Sequence, residues 1–326
     1  MCYSIETVAD YLTYVERYSA HLSLGEFDRL VKRARKTGDL LLPTQVESAL
    51  LADPNPDLAD LQDELRIDRT ERIGKAEMSL AELRMRLQAA QEKLAKKATK
   101  TALNEQRIAT NKIGKAQDKL DALLEVPGTG SKFTRVFSQT YAPVLVVENG
   151  ERVILPMRYQ CRPPGVPEKW DVDYPGTYNA RLDTIMKPGS SWRRLFMHYH
   201  GIVEIRAFHE NVHRHDWEHR QLASGEKESN VRLRFTPDND ERMIVPVLWS
   251  RWTKKGEPDL LSFAVITNDP PPEVQAAGHD RCPMQIKPEH VEAWLTPQRR
   301  TVNEILSILN DKPDVRYVPE ESGKDE

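Results

Sequence analysis

Apolar residues recur at alternating three- and four-residue steps through Ile73, Ala76, Leu80, Leu83, Leu87, Ala90 and Leu94. They lie in a stretch, 57–126, rich in Ala, Leu, Lys, Glu, Gln and Arg and interrupted only by Gly74 and Gly114. That spacing is a heptad seam and predicts a helix packed on another helix as a coiled coil. A weaker run follows through Ile108, Ile113, Ala116, Leu120 and Leu124, with the polar stretch Lys96–Thr101 between the two. Two arrangements fit: a helical hairpin that folds back there, or one helix of about 100 Å at 1.5 Å per residue. The hairpin is favoured because a lone helix leaves its apolar stripe wet; dimerisation of a long helix is the alternative.

The flanking regions read differently. Before the seam, short helices are expected around Glu6–Ala20 and Leu24–Lys36. After it, Val126-Pro-Gly-Thr-Gly-Ser131 is a breaker cluster, and from Thr134 the texture becomes β. Pro143–Val147 and Arg152–Arg158 flank Glu148-Asn-Gly-Glu151, a hairpin with an Asn-Gly turn. Tyr199–Ala207, Val231–Phe235, Met243–Trp249 and Ser262–Asn268 are further strand candidates, while Pro288–Leu295 and Gln298–Asn310 read as helices. The pattern divides the chain into an N-terminal segment (1–45), an inserted helical coiled coil (46–132), a main β-rich part (133–312) and a flexible acidic tail (313–326). The fold class is α+β, a β-rich domain carrying a long inserted α-helical coiled-coil region.

Composition narrows the classes. Hydrophobic residues are 39% and charged residues 30% of 326, enough for a sizeable core and a solvated surface. The net charge of −3 means that nucleic-acid affinity must come from a local basic patch. Cys2, Cys161 and Cys282 are far apart and form no CxxC pair, which argues against a zinc finger or a disulfide framework. The start MCYSIETVADYL lacks a basic, apolar leader, and no run approaches the ~18 apolar residues of a bilayer span. A soluble, intracellular (cytoplasmic) protein without membrane contact is the expectation.

Two features could carry chemistry. Cysteine is small enough that an initiator Met is trimmed in front of it, which would leave Cys2 with a free α-amine beside its thiol. Such a 1,2-aminothiol captures an aldehyde twice, first as an imine and then as a thiazolidine. Both nucleophiles are usable near neutrality, with pKa values near ~7.7–8.0 and ~8.5. The second feature is a run of histidines, His198, His200, His209, His213, His215 and His219. Interleaved Asn, Asp and Arg and the lack of an HExxH pattern favour a solvated loop over a metal site, so neither metal nor cofactor is expected.

Several segments, taken in order, narrow the reading further. They are Met1-Cys2, Tyr178-Asn-Ala-Arg-Leu-Asp-Thr184, Gly201-Ile-Val-Glu-Ile205, Val265-Ile-Thr-Asn-Asp-Pro270, Gly278-His-Asp-Arg-Cys-Pro283 and Pro288-Glu-His-Val-Glu-Ala-Trp-Leu295. This set resembles the SRAP family, named for SOS-response-associated peptidases. The family pattern has Met-Cys, Asn-Ala-Arg-Ser/Ala-Glu-Thr, Gly-Phe-Tyr-Glu-Trp, a strand ending Thr-Thr/Asn-Asp-Ala, and His-Asp-Arg-Met-Pro. The resemblance covers roughly residues 1–20 and 134–300, outside the coiled coil. It departs at Gly201–Ile205, where the aromatic residues are missing, at Asp183 in place of Glu, and at Cys282 in place of Met. Tyr159-Gln-Cys161 stands where the family has Trp-Gly-Leu.

The resemblance implies recognition of abasic sites in single-stranded DNA and covalent attachment through Cys2 to the ring-opened sugar aldehyde. Autoproteolytic exposure of Cys2 and lyase-type cleavage are further implied activities. Asn179 would hold the terminal amine and Glu204 would assist ring opening as a general acid. His279 would move protons during imine formation, and Arg181 would pair with a phosphate. Cys161 and Cys282 are expected to be buried spectators. Trp192, Arg193 and Arg194, with Trp249, Arg251 and Trp252, offer aromatic and cationic groups for DNA. An alternative of another class is a non-catalytic, nucleic-acid-binding assembly protein whose coiled coil recruits a second copy or another protein.

Overall fold

The computed structural model describes residues 3–37, 42–239 and 241–322. Strand β1 (Ser4–Val8) takes the first residues of the segment Glu6–Ala20 expected to be the first helix, which is confined to α1 (Leu12–Tyr18). Ser-Ile-Glu-Thr-Val carries three β-branched residues, and its backbone pairs on both edges with distant strands, so tertiary pairing overrides the local helical reading. Strand β2 (His21–Leu22) and α2 (Leu24–Thr37) follow, then α3 (Thr44–Ala52).

Helices α4 (Ala59–Lys96) and α5 (Lys100–Leu124) form a hairpin, with Thr99 accepting from the Ala102 amide as the N-cap of α5. Antiparallel pairing is shown by Lys93 to Glu105 (3.1 Å) near the turn and Arg84 to Gln117 (3.1 Å) further down. Every residue of the Ile73–Leu94 seam is buried or half-buried. On α5, Ala109 and Leu123 are buried where Ile108 and Leu124 were expected, and the latter two are exposed. The seam is therefore covered by the same chain, and the single long helix does not form.

The base of the hairpin is anchored by Arg69. Its guanidinium donates to the carbonyls of Leu123 (2.9 Å) and Glu125 (2.6 Å), which end α5, and reaches the fully buried Glu47 on α3 at 3.4 Å. Arg72 also pairs with Glu47 and, at 2.6 Å, with Asp68.

The remaining strands are β3 (Phe133–Phe137), β4 (Tyr141–Glu148), β5 (Glu151–Tyr159), β6 (Asn179–Arg181), β7 (His200–His213), β8 (Asn230–Pro237), β9 (Met243–Trp252), β10 (Leu260–Asn268), β11 (Cys282–Pro283) and β12 (Tyr317–Glu321). Pairing runs β4–β5–β10–β9–β7 and back to β4, which closes a ring. Val144, Leu155, Phe263, Val247 and Val203 pack within one of the two apolar clusters. The opposite faces pack against α1–α4 and the C-terminal helices Val291–Leu295 and Val302–Asn310 in the other.

Strand β7 is longer than expected. Its first half pairs with β4 and β9, and its second half with β1 and β8. Gly201 lets β7 approach β4 here, since a Cβ would meet Leu145 O and Val144 Cγ1 at 3.0 Å. Two further expectations are corrected. The histidine run is mostly strand, with a short helix Arg214–Trp217, because alternating residues of β7 enter the core. Residues 317–321, placed in a flexible tail, form β12 against β8, with Tyr317 packed beside Phe208. Among the described residues no group of three or more His, Cys, Asp and Glu is placed to hold a metal, and no helix is long and apolar enough to cross a membrane.

His200 shows what burial does in this core. Its ring stacks on Trp294 at 3.8 Å, Nδ1 donates to Trp294 O (2.9 Å), and Nε2 accepts from the Met197 amide (3.3 Å). Burial pushes its pKa down to about 3. A histidine whose folded pKa lies below its unfolded value contributes stability above about pH 6.5 and loses it as pH falls toward the folded value. Urea midpoints are expected to be flat above pH 7 and to fall between pH 6 and 4. His200→Gln should flatten that fall, and an unchanged slope in the variant would exclude His200 as its source.

Candidate active site

The site is built where β1, β7 and the loop before β11 meet. The Tyr3 amide donates to His209 O (3.1 Å) and to Glu210 Oε2 (3.2 Å). Glu210 is fully buried on β7, and the same Oε2 lies 3.2 Å from His279 Nε2. His279 follows the helix Pro272–Ala276 and Gly278, whose φ of +93° makes the reversal that aims the imidazole at β7. A Cβ at Gly278 would also lie 2.9 Å from Asp216 Cβ.

His279 Nδ1 lies 2.8 Å from Arg281 O, to which it donates when it carries the proton, and 3.3 Å from the Arg281 amide, from which it accepts in the other tautomer. Burial lowers its pKa to about 4, so the imidazole is neutral at pH 7. Nε2 faces Glu210 Oε2 across 3.2 Å. That is a carboxyl–imidazole pair fit to pass a proton. Cys2, the proposed nucleophile, precedes Tyr3 and lies outside the described residues.

The strand β10 gathers the other polar groups. Its residue Thr267 pairs with Arg181 on β6 at one edge and with Pro283 on β11 at the other. Asn179 and Arg181 therefore stand at the same strand end as the His279 loop. Asn179 is buried, and Arg181 is part-exposed with its fork on Asp183 (2.9 and 3.2 Å). Arg281 bridges the two edges, at 2.6 Å from Asp269 and 3.7 Å from Asp183.

Glu204 is not brought to His279. It sits six residues back on β7, about 20 Å at ~3.3 Å per residue. Arg206 is the extra residue of a β-bulge opposite β1, where Glu6 pairs with Ala207 and Thr7 with Ile205. The bulge inverts the alternation: Val203 and Ile205 enter the same core cluster as Phe208 and Val212. Glu204 and Glu210 thus point to opposite faces. Glu204 accepts from Arg17 (2.7 Å), Tyr18 (2.7 Å) and Arg242 (3.3 Å), and its amide donates to Tyr14 Oη (2.8 Å). This is a buried ion-paired strut between α1 and the sheet. Sequence reasoning missed Glu210, although Ala207-Phe208-His209-Glu210-Asn211 keeps the Phe and the Glu of the Gly-Phe-Tyr-Glu-Trp pattern.

Two of the proposed DNA contacts, Trp249 and Trp252, are corrected, while Trp192, though largely buried, lines the cleft that holds Trp170, Tyr174 and Asn179. Trp249 and Trp252 are buried in the apolar clusters, and Trp252 Nε1 donates to Val166 O (2.7 Å). A large indole finds its burial in the core unless a ligand surface needs it. Arg251 is held by Glu26 (3.0 Å), Asp259 (3.4 Å) and Glu148 (3.6 Å), whereas Arg193 and Arg194 are exposed. An accessible aromatic pair is Trp170 and Tyr174, stacked at 4.1 Å, with Tyr174 53% exposed. It borders an open cleft of about 470 Å³ that reaches Thr177, Asn179 and Lys187. Burial pushes the Cys161 thiol up to about 12 and the buried Cys282 thiol up as well, so neither is a nucleophile near neutrality.

The family model for SOS response associated peptidase (SRAP) matches residues 84–320, well over half of the chain. The chain belongs to the SRAP family. The matched span begins inside α4, so it takes in part of the hairpin and leaves out the N-terminal segment that the sequence resemblance also used. No curated protein matches the sequence. Solved structures similar to this SRAP chain include a protein from Bordetella bronchiseptica, 19% identical, covering 58% of this chain and 87% of its own, with TM-score 0.46. A Bacteroides thetaiotaomicron protein is 20% identical over 53% of this chain and 73% of its own, with TM-score 0.42. A phage-related protein from Bordetella bronchiseptica is 19% identical over 58% and 81%, with TM-score 0.43.

Proposed function

We propose that this SRAP protein captures abasic sites in single-stranded DNA by forming a thiazolidine through Cys2. The observation that carries the reading is the Tyr3 amide on Glu210 Oε2, with His279 on the same oxygen. Cys2 is bonded to that amide nitrogen, so chain connectivity tethers its amine and thiol to a carboxyl–imidazole pair.

The chemistry balances without a cofactor. Glu210 gives a proton to the sugar ring oxygen as the C1–O ring bond breaks, and the C1 hydroxyl gives its proton to His279 as it becomes the aldehyde oxygen. The Cys2 amine adds to the carbonyl carbon, and the carbinolamine loses water to give an imine. The thiol sulfur then adds to the imine carbon, and its proton ends on the amine nitrogen. His279 accepts and returns the proton between these steps. Asn179 stands at the same end of β10 to hold the amine. The strand's bases would stack on Trp170 and Tyr174, and its phosphates would compete with Asp183 for Arg181.

Purified protein lacking Met1, incubated with an oligonucleotide carrying one abasic site, is expected to give a shifted band on a denaturing gel. Cys2→Ala should abolish it. Absence of the band from protein shown by mass spectrometry to begin at Cys2 would refute the reading and favour the non-catalytic assembly protein.

A further inference from the structure

The hairpin's charge is sorted along its length. Residues 84–119, the distal half, carry ten Lys and Arg against three Asp and Glu, in a chain whose net charge is −3. Residues 59–83, at the base, carry seven acidic against four basic side chains. All ten distal cations are exposed, from Arg84 and Arg86 through Lys96, Lys97, Lys100 and Arg107 to Lys119. Lys93 is paired with Glu105, and it lines a groove of about 210 Å³ between the helices with Arg86 and Lys112.

We propose that this distal half is a second nucleic-acid contact, a rigid arm that grips the phosphate backbone of duplex DNA. Residues 46–132 contain no Phe, Trp, Tyr or His, so the arm has no aromatic ring to stack on unpaired bases. The same lack, with cations on both helices, fits poorly with a membrane surface, where Trp, Phe and Leu insert. The cations between Arg84 and Lys97 span about 20 Å of straight helix, and a duplex offers a charge every ~1.7 Å of its axis. The arm would hold the double strand flanking a single-stranded lesion. In that detail it rests on the proposed function; in its duplex affinity it does not.

The test is the salt dependence of binding to an undamaged 20-base-pair duplex, read by fluorescence anisotropy. The variant replaces Lys96, Lys97, Lys100 and Arg107 together by Gln, a good helix former, with circular dichroism to check the hairpin. Each lost phosphate contact lowers the slope of log K against log salt by about 0.9. A slope smaller by two or more, with affinity at 0.1 M salt weakened at least tenfold, is expected. Changing the three lysines to Arg should keep the wild-type slope. An unchanged slope in the Gln variant overturns the proposal, as does binding to phosphatidylserine vesicles without duplex binding. Crosslinking of a saturating single-stranded abasic oligonucleotide should match wild type in the Gln variant. If neither protein crosslinks, the proposed function fails while the duplex slope still decides the arm.

Discussion

Glu210→Gln is expected to slow crosslink formation by roughly 10²–10⁴-fold, the usual worth of a positioned acid–base group, while leaving the fold intact. The amide keeps the shape of the carboxyl and can still accept from the Tyr3 amide, but it cannot pass a proton to or from His279. Glu204→Gln is the contrasting variant. That side chain is fully buried among Arg17, Arg242 and Tyr18, so its loss weakens the clasp of α1 on the sheet. Glu204→Gln should therefore lower the urea midpoint and leave the crosslinking rate of the folded fraction within a few-fold of wild type. Single-turnover gels on both variants, with unfolding curves on the same samples, separate the roles. A Glu204→Gln protein that is stable but inert, beside an active Glu210→Gln, would reverse the assignment.

The two glutamates also show where sequence stops informing. Both lie on one apolar strand, and both follow a segment that partly fits the family's Glu motif. What separates them is the single extra residue Arg206, and a bulge is set by pairing with β1, about 200 positions away. The hairpin was legible because its heptads are local and self-consistent, down to a one-residue shift near the ends of α5. Strand β1 was not, since Ile5 pairs with Val136 and Phe208, and nothing near residue 5 announces either partner. Asn179, Arg181 and His279 were proposed from motif order, and β10 brings β6 and β11 to one strand end. Trp249 and Trp252 were misplaced because a Trp beside Arg looks alike in a core edge and in a DNA surface, and Trp170 with Tyr174 carried no motif at all.

Arg69→Ala should be the most destabilising change outside the core, costing about 3–5 kcal/mol, as when one partner of a buried ion pair is removed. Arg69 is 8% exposed, and its guanidinium closes three gaps at once. It neutralises part of the buried Glu47, whose pKa is raised by burial in spite of Arg72, and it satisfies two carbonyls that α5 leaves open. Lys at this position reaches one of those acceptors but lacks the planar fork, so Arg69→Lys should recover only a minor part. The effect should extend beyond the hairpin. Helix α3 carries Gln45, which accepts from Thr134 on β3 at 2.9 Å, and β3 is the outer partner of β1. Hydrogen exchange in Arg69→Ala is therefore expected to rise at 44–72 and 120–125 first, then at β1, and crosslinking should slow as the Tyr3–Glu210 contact loosens. A variant within 0.5 kcal/mol of wild type, an order-of-magnitude bound for an ordinary surface change, would show that the hairpin base is held by Leu61 and Leu65 in the core and not by its charges.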